Sequence, residues 1–171
     1  MKVILFMSMS VNGFIARENN DEDFISDNNW GTFVDLTHKT GCLIWGRKTL
    51  EVVKDWEESY LNQLNGIKKI IVSNKKLDLD KDYELANSPK QALEILKKSG
   101  YTEVILCGGS INNSSFAKEN LIDEIIFNIE AVIIGKGIPI FCSDSFDLNL
   151  KLKEINKISK NIIQLHYIVN K

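Results

Sequence analysis

Three short tracts in this sequence carry residue types suited to holding phosphate. Gly46-Arg47-Lys48-Thr49 follows directly on the apolar run Cys42–Trp45. A helix opening there would offer free backbone N–H groups and a positive end to an anion. Arg47 would add a planar, charged fork and Thr49 a hydroxyl donor. The same four residues also describe a turn with a surface arginine. Cys107-Gly108-Gly109-Ser110, leading into Ile111, follows the run Val104–Leu106. Two adjacent glycines let backbone approach a ligand with no Cβ in the way, and they also make a plain tight turn. Ser73-Asn74-Lys75-Lys76 follows Lys69–Val72. Its small polar groups and lysines could meet a nucleotide 2′-phosphate or simply form a solvated loop. In an open α/β sheet, ligands bind beyond the carboxyl ends of the strands. Three such ends that all suit phosphate point together to a dinucleotide. Neither the Rossmann glycine pattern nor the P-loop pattern is present.

The elements that must position these tracts follow from the apolar patterning. Val3–Met7 is continuously apolar, the mark of a strand buried on both faces; Cys42–Trp45 reads as a second short buried strand, and Lys69–Val72 and Val104–Leu106 as a third and fourth. Ser26-Asp27 can cap a helix over about 28–38, with Trp30, Phe33, Val34 and Thr37 at helical spacing and Gly41 as its stop. A helix starts again within Lys48–Val53. Ser88-Pro89 opens another through Lys98, with proline at the first helical position and Gly100 after the end. A weak helix is expected over 112–119, and strands over 124–129, 148–155 and 162–169. Strands and helices alternate through the first two thirds, which argues for a parallel sheet covered on both faces. The strand-rich last third adds antiparallel strands at one edge. A single α/β domain over 1–171 is expected.

Composition narrows the function classes. With 171 residues, 44% hydrophobic and 26% charged, the chain is an ordinary globular one. A net charge of −2 from 21 basic and 23 acidic residues gives no field for nucleic acid. Three cysteines with no C-x-x-C pair argue against a disulfide framework, and two unrelated histidines argue against zinc. The N-terminal apolar run is broken by Ser8, Ser10 and Asn12, too soon for a signal peptide or a membrane span. A cytoplasmic protein with buried free thiols and no membrane partner is expected.

Four matches, in order along the chain, carry a family resemblance. Ser10-Val11-Asn12-Gly13-Phe14-Ile15-Ala16 resembles an S-x-D-G-x-I-A motif, and Gly46-Arg47-Lys48-Thr49 a G-R-x-T motif. Gly108-Gly109 followed by Leu121-Ile122-Asp123-Glu124 resembles a Gly-Gly, helix, L-x-D-E sequence. Gly135-Lys136-Gly137-Ile138-Pro139-Ile140-Phe141 resembles a G-x-G-x-P-x-F closing motif. The whole pattern is similar to the dihydrofolate reductase fold family, and within it to the reductase domain of the bifunctional riboflavin-biosynthesis deaminase/reductase.

That resemblance implies a three-layer α/β/α fold with a mostly parallel central sheet, and an NADPH-dependent reductase acting on a small heterocycle. It puts Gly46, Arg47, Lys48 and Thr49 on the cofactor phosphates and Ser73 and Asn74 near the adenosine end. Gly108, Gly109, Ser110 and Ile111 would lie along the pyrophosphate. Ser8, Asn12, Ile15 and Trp30 would face the nicotinamide or substrate, under a closing loop over 12–23. The implied acceptor is a 5-amino-6-(5-phosphoribosylamino)uracil-type pyrimidine. Dihydrofolate or another pterin, and a nucleotide-binding module without turnover, are the alternatives. Asp35 is the candidate acid, by analogy with the acid on the first helix of dihydrofolate reductases; its other reading is a solvent-facing helix residue. Asn12 stands where the pattern has Asp, and Leu50 where an aromatic commonly follows G-R-x-T. No zinc-binding deaminase segment precedes the pattern, so another chain is expected to supply that step, or the substrate differs. A homodimer paired through apolar surface of the late strands is also implied.

Overall fold

Successive residues of a strand face opposite sides of its sheet, so a continuously apolar strand must feed two cores. The first strand does this. In the computed structural model, which describes all residues from Met1 to Lys171, β1 (Lys2–Ser10) sends Val3, Leu5 and Met7 into one apolar cluster and Ile4 and Phe6 into another. The chain continues through β2 (Phe14–Ala16), α1 (Asp27–Thr40), β3 (Cys42–Gly46), α2 (Arg47–Val53), α3 (Glu58–Asn62), β4 (Lys68–Val72) and β5 (Tyr83–Ala86). It then forms α4 (Pro89–Lys98), β6 (Glu103–Leu106), α5 (Ser110–Lys118), β7 (Glu124–Glu130), β8 (Ile138–Pro139), β9 (Asn149–Lys157) and β10 (Ile162–Asn170).

Eight strands form one sheet in the order β5-β4-β3-β6-β1-β7-β10-β9. The first six run parallel, and β10 and β9 are antiparallel additions. Helices α4 and α5 cover one face through Ala92, Leu96 and Phe116, while α1 and α2 cover the other through Phe33, Leu50 and Val53. The expected three layers are present, with the antiparallel strands at one edge.

Local chemistry explains most boundaries. Gly41 takes a left-handed φ of 71° and donates its N–H to Thr37 O at 2.8 Å, closing α1. Ser88 Oγ accepts from Gln91 N at 3.2 Å with Pro89 next in line, opening α4. The start of α1 departs from expectation. Ser26 is its cap position, but its hydroxyl makes no capping bond. The anion there is Glu130, whose Oε1 accepts from Ser26 N at 2.8 Å and from Asn29 Nδ2. A carboxylate from the end of β7 therefore caps a helix 100 residues earlier in the chain, where helix N–H groups and dipole favour negative charge.

Helix α5 is built from poor helix formers, Asn112-Asn113-Ser114-Ser115, and still forms. Its polar side chains are buried and bonded: Asn113 Nδ2 donates to Ile140 O at 2.9 Å, and Ser114 Oγ accepts from Cys142 N at 2.8 Å. Tertiary bonding replaces propensity. The short β2, β5, β8 and α3 are too brief to leave a periodic signal.

Candidate active site

Parallel order brings the carboxyl ends of β4, β3, β6 and β1 to one edge of the sheet. The three phosphate-suited tracts therefore meet there. Gly46 N donates to Gly108 O at 2.8 Å, and Cys107 N donates to Ile44 O at 3.0 Å. Asn112 Nδ2 reaches the same Gly108 O at 3.0 Å, and Asn113 Oδ1 accepts from Gly108 N at 3.2 Å. Residues 46–49 and 108–111 thus form one stitched seam. The Gly108–Gly109 peptide is cis.

The seam needs glycine. A Cβ on Gly46 would stand 3.0 Å from Asn112 Cβ. A Cβ on Gly108 or Gly109 would stand 3.5 or 3.3 Å from Thr49 Oγ1, filling the space in front of that hydroxyl. Backbone N–H groups opening α5, the Thr49 hydroxyl and the side chains of Arg47 and Lys48 are the donors of this cradle. Because α2 spans only seven residues, its part is these side chains rather than a helix dipole. Ser110 is buried with its hydroxyl against Cys142 Sγ at 3.1 Å, so it offers backbone, and Ile111 is an exposed apolar rim. Arg47 is half-buried and ion-paired with Glu51 one turn on. Lys48 is exposed. At the end of β4, Ser73 is buried with its hydroxyl accepting from Lys75 N at 3.0 Å, and Asn74 is exposed beside it. A glycine-lined, donor-rich cradle of this kind fits a dinucleotide pyrophosphate.

The residues expected at the reacting end separate. Ser8 is half-buried on β1, in register with Asn128 of β7, and Ile15 is buried on β2. Asn12 is committed elsewhere: its Nδ2 donates to Ile134 O at 2.8 Å and its Oδ1 accepts from Ser10 Oγ at 3.0 Å. It pins the β1–β2 turn to the loop after β7. Trp30 donates Nε1–H to Gln63 Oε1 at 3.1 Å and packs edge-on against Trp56 at 5.3 Å and Tyr60 at 5.2 Å. It belongs to an aromatic group with Phe33, Trp45 and Trp56 under the site. Asp35 is exposed on α1 and makes no side-chain hydrogen bond or ion pair. The solvent-facing reading describes it, because its helix turns Phe33 and Thr37, not residue 35, toward the core.

A cleft of about 700 Å³ opens beside the cradle, between the β2–α1 loop and α2. Asn19 to Glu22 form one wall, and Lys48, Glu51, Val52, Asp55 and Trp56 form the other. The loop is held by the Arg17–Asp23 ion pair, with Arg17 Nη2 to Asp23 Oδ2 at 2.9 Å, and by Arg17 N to Asp21 O at 2.8 Å. Glu22 is exposed on the cleft wall. Protein atoms around the cleft wall push its carboxyl up to about 7, and the charge of Asp21 adds to the rise. Cys107 follows directly on β6. Burial first, and then the charge of Glu22, push its thiol up to about 12 against a hydrogen bond from Trp45, so it stays a thiol rather than a nucleophile. Glu22 escapes sequence reading because it lies in the acidic tract Glu18–Asp23, where a solvated loop explains every residue.

Comparison with known proteins agrees with this geometry. Residues 1–164 match the family model described as the RibD C-terminal domain. The uncharacterised protein YyaP of Bacillus subtilis (strain 168) is 25% identical, covering 97% of this chain and 94% of its own. A candidate riboflavin biosynthesis protein from Shewanella sp. PV-4 superposes with a TM-score of 0.81 at 22% identity, over 100% of both chains. The dihydrofolate reductase of Enterococcus faecalis, solved with NADP(H), gives a TM-score of 0.76 at 13% identity, over 99% of this chain and 97% of its own. The two structures show a shared fold.

Proposed function

The chain belongs to the RibD C-terminal domain family, and on that footing we propose that it is an NADPH-dependent reductase of a small heterocycle. The observation that carries this reading is the seam at Gly46 and Gly108, which places a phosphate cradle against the cleft that Glu22 lines. Arg47, Lys48, Thr49 and the backbone of residues 108–111 would hold the cofactor phosphates, with Ser73 and Asn74 toward the adenosine end. Bound there, the cofactor supplies a hydride. The chain's own part is to position the acceptor in the cleft, keep water out with the loop over residues 17–26, and manage the proton that accompanies reduction.

The acceptor class follows from the family: a ribosylaminopyrimidine whose sugar carbonyl or imine equivalent takes the hydride. The E. faecalis enzyme shows that the same fold can serve a folate reductase, which makes dihydrofolate the comparison substrate. The test is a panel of both with NADPH, followed as loss of the reduced-nicotinamide absorbance. Turnover of the pyrimidine and not of dihydrofolate is expected. Cofactor binding with no turnover of any acceptor would instead identify a nucleotide-binding module.

The same preparation tests Arg47. A charged hydrogen bond to phosphate is worth about 1.5–3 kcal/mol, so Arg47→Ala should weaken NADPH roughly tenfold to a hundredfold, and NADH much less, if Arg47 meets the 2′-phosphate. Equal losses would assign it to the pyrophosphate, and no loss would remove it from the cradle.

The late strands support a homodimer. One face of β9 and β10 carries exposed Leu150, Leu152, Ile155 and Ile163, which continue the apolar residues Phe127 and Ile129 of β7 through the strand register. Exposed apolar patches of this kind mark association surfaces. Sedimentation of the purified protein at the mass of one copy would overturn the pairing. The three cysteines are free, as suits a reducing compartment such as the cytoplasm.

A further inference from the structure

The cradle and the cleft lie side by side and carry opposite charge. The cradle is the donor side, with the backbone N–H groups that open α5, the Thr49 hydroxyl, Arg47 and Lys48. In the cleft, Asp21 and Glu22 stand on the loop wall and Glu51 and Asp55 on the facing wall, and Lys48 is the one cation among the lining residues. The chain has two arginines, and acids engage both: Asp23 holds Arg17, and Glu51 holds Arg47. Asp21, Glu22 and Asp55 have no cationic partner.

The cleft is also shaped for a ring. Trp56 forms part of its wall and is fixed by edge-on contacts to Trp30 at 5.3 Å and Trp45 at 6.3 Å. Val52 of α2 adds apolar surface, and Asn19 and Asn20 supply amide donors and acceptors from the loop. A space of about 700 Å³ is the size of an ordinary small-molecule pocket. An aromatic wall ringed by amides and carboxylates suits a planar, amine-bearing heterocycle. It does not suit a phosphate monoester, which would bring a charge of about −1.5 to −2 into a concavity already lined by like charge. The low-dielectric walls of a cleft focus such a field.

We propose that the cleft selects an acceptor without a phosphate: an amine-bearing heterocycle at the nucleoside or free-base level, lying against Trp56 and attracted by Asp21, Glu22, Glu51 and Asp55. Phosphate recognition is then confined to the cradle and to the cofactor. The inference rests on the reductase reading above and narrows its substrate class. For a ribosylaminopyrimidine it means that the primary hydroxyl of the sugar is free. Lys48 marks the boundary between the two regions, and no second cation stands in the cleft to receive a phosphoribosyl tail. The discrimination is mainly repulsive, because the like charge of the walls acts against the phosphorylated twin of an otherwise identical ligand.

Charges open to solvent are screened, so the preference carries a salt signature. All four carboxylates are exposed on the cleft walls. Their reach shrinks from about 30 Å at 0.01 M ionic strength to about 3 Å at 1 M. At about pH 8 Glu22 has passed its value of about 7 and adds its charge to the other three. A cleft of one sign changes the local concentration of a charged ligand by roughly tenfold or more at low salt.

The experiment compares 5-amino-6-ribosylaminouracil with its 5′-phosphate in two measurements. One is kcat/KM with NADPH. The other is affinity with NADP+ filling the cradle, followed by tryptophan fluorescence, to which Trp56 in the cleft wall responds. At low salt the wild type should favour the unphosphorylated compound roughly tenfold to a hundredfold in both, and the preference should fall toward equality at about 1 M salt. Asp55→Lys replaces an exposed, unpaired cleft carboxylate and should cut the low-salt preference about tenfold. Glu94→Lys makes the same charge change at an exposed position of α4, on the other face of the sheet, and should leave the preference as it is. Equal or better use of the phosphorylated acceptor at low salt would overturn the selection and leave the reductase reading standing. A preference that survives both high salt and Asp55→Lys would also overturn it, since cleft charge would not be its cause. Preferential binding of the unphosphorylated compound with neither compound reduced would uphold the selection and overturn the reductase reading. Binding of neither would overturn the inference.

Discussion

Gly137→Ala should lower the melting temperature by about 2–12 °C. The new Cβ would stand 2.4 Å from Ala16 O, and 3.1 Å from both Ile134 Cδ1 and Phe14 Cγ. The first of these neighbours is backbone and cannot swing aside. Ala16 pairs with Ile138 and Phe14 with Pro139, so the clash falls inside the small β2–β8 ladder. Overpacking of this kind costs about 1–3 kcal/mol, and for a chain of this size each kcal/mol moves the midpoint by roughly 2–4 °C. Gly135→Ala is the matched control. It lies two residues away with nothing within 4 Å of the new Cβ, and it should melt with the wild type. Coincident melting of both variants in calorimetry would refute the close approach. The ladder also anchors the loop that carries Glu22, so the damaged variant should lose acceptor turnover beyond its loss of stability.

Glu130→Ala should destabilise the fold by about 3 kcal/mol, read as a shift of the denaturant midpoint. The substitution strands the Ser26 N–H and the Asn29 amide, and Asn29 is only 1% exposed. Breaking a buried charged contact from one side typically costs about 3–5 kcal/mol, mainly because the partners are left unpaired. The partners here are neutral, which places the loss at the lower end. Glu130→Gln keeps an acceptor oxygen and should lose about 1 kcal/mol. Equal midpoints for the alanine and glutamine variants would show that the carboxylate does not cap the helix. The same contact sets where α1 begins, and with it the far end of the loop over the cleft.

How much of this was legible beforehand depends on how local each cause is. Gly41, Pro89 and Gly100 act within a turn or two, and the helices they delimit fall close to where the sequence places them. The strands with unbroken apolar runs are equally clear, because burial on both faces leaves no polar position. Helix α5 carries the opposite signal, since its asparagines and serines disfavour a helix in isolation. What makes it helical is bonding to Gly108, Ile140 and Cys142. Ser26 marks the right place for the start of α1, but the group that caps it comes from β7. The cradle is readable because glycine and arginine types at strand ends have a mechanism behind them. Glu22 is not. A carboxylate in an acidic loop becomes a cleft wall only when α2 and the turn after it stand opposite, and no spacing in the sequence encodes that placement. Asn12 shows the reverse case: it sits inside a recognisable motif, and the structure uses its amide to tie two loops together.

The bond from Gly46 to Gly108 joins residues that are synthesised far apart. Its two halves lie on neighbouring strands only after the chain has laid down β4, β5 and α4 and crossed back to insert β6 between β3 and β1. A nascent chain still lacking β6 has no seam. The cradle therefore arrives as one late event in folding, and a partly made or partly opened molecule does not present it.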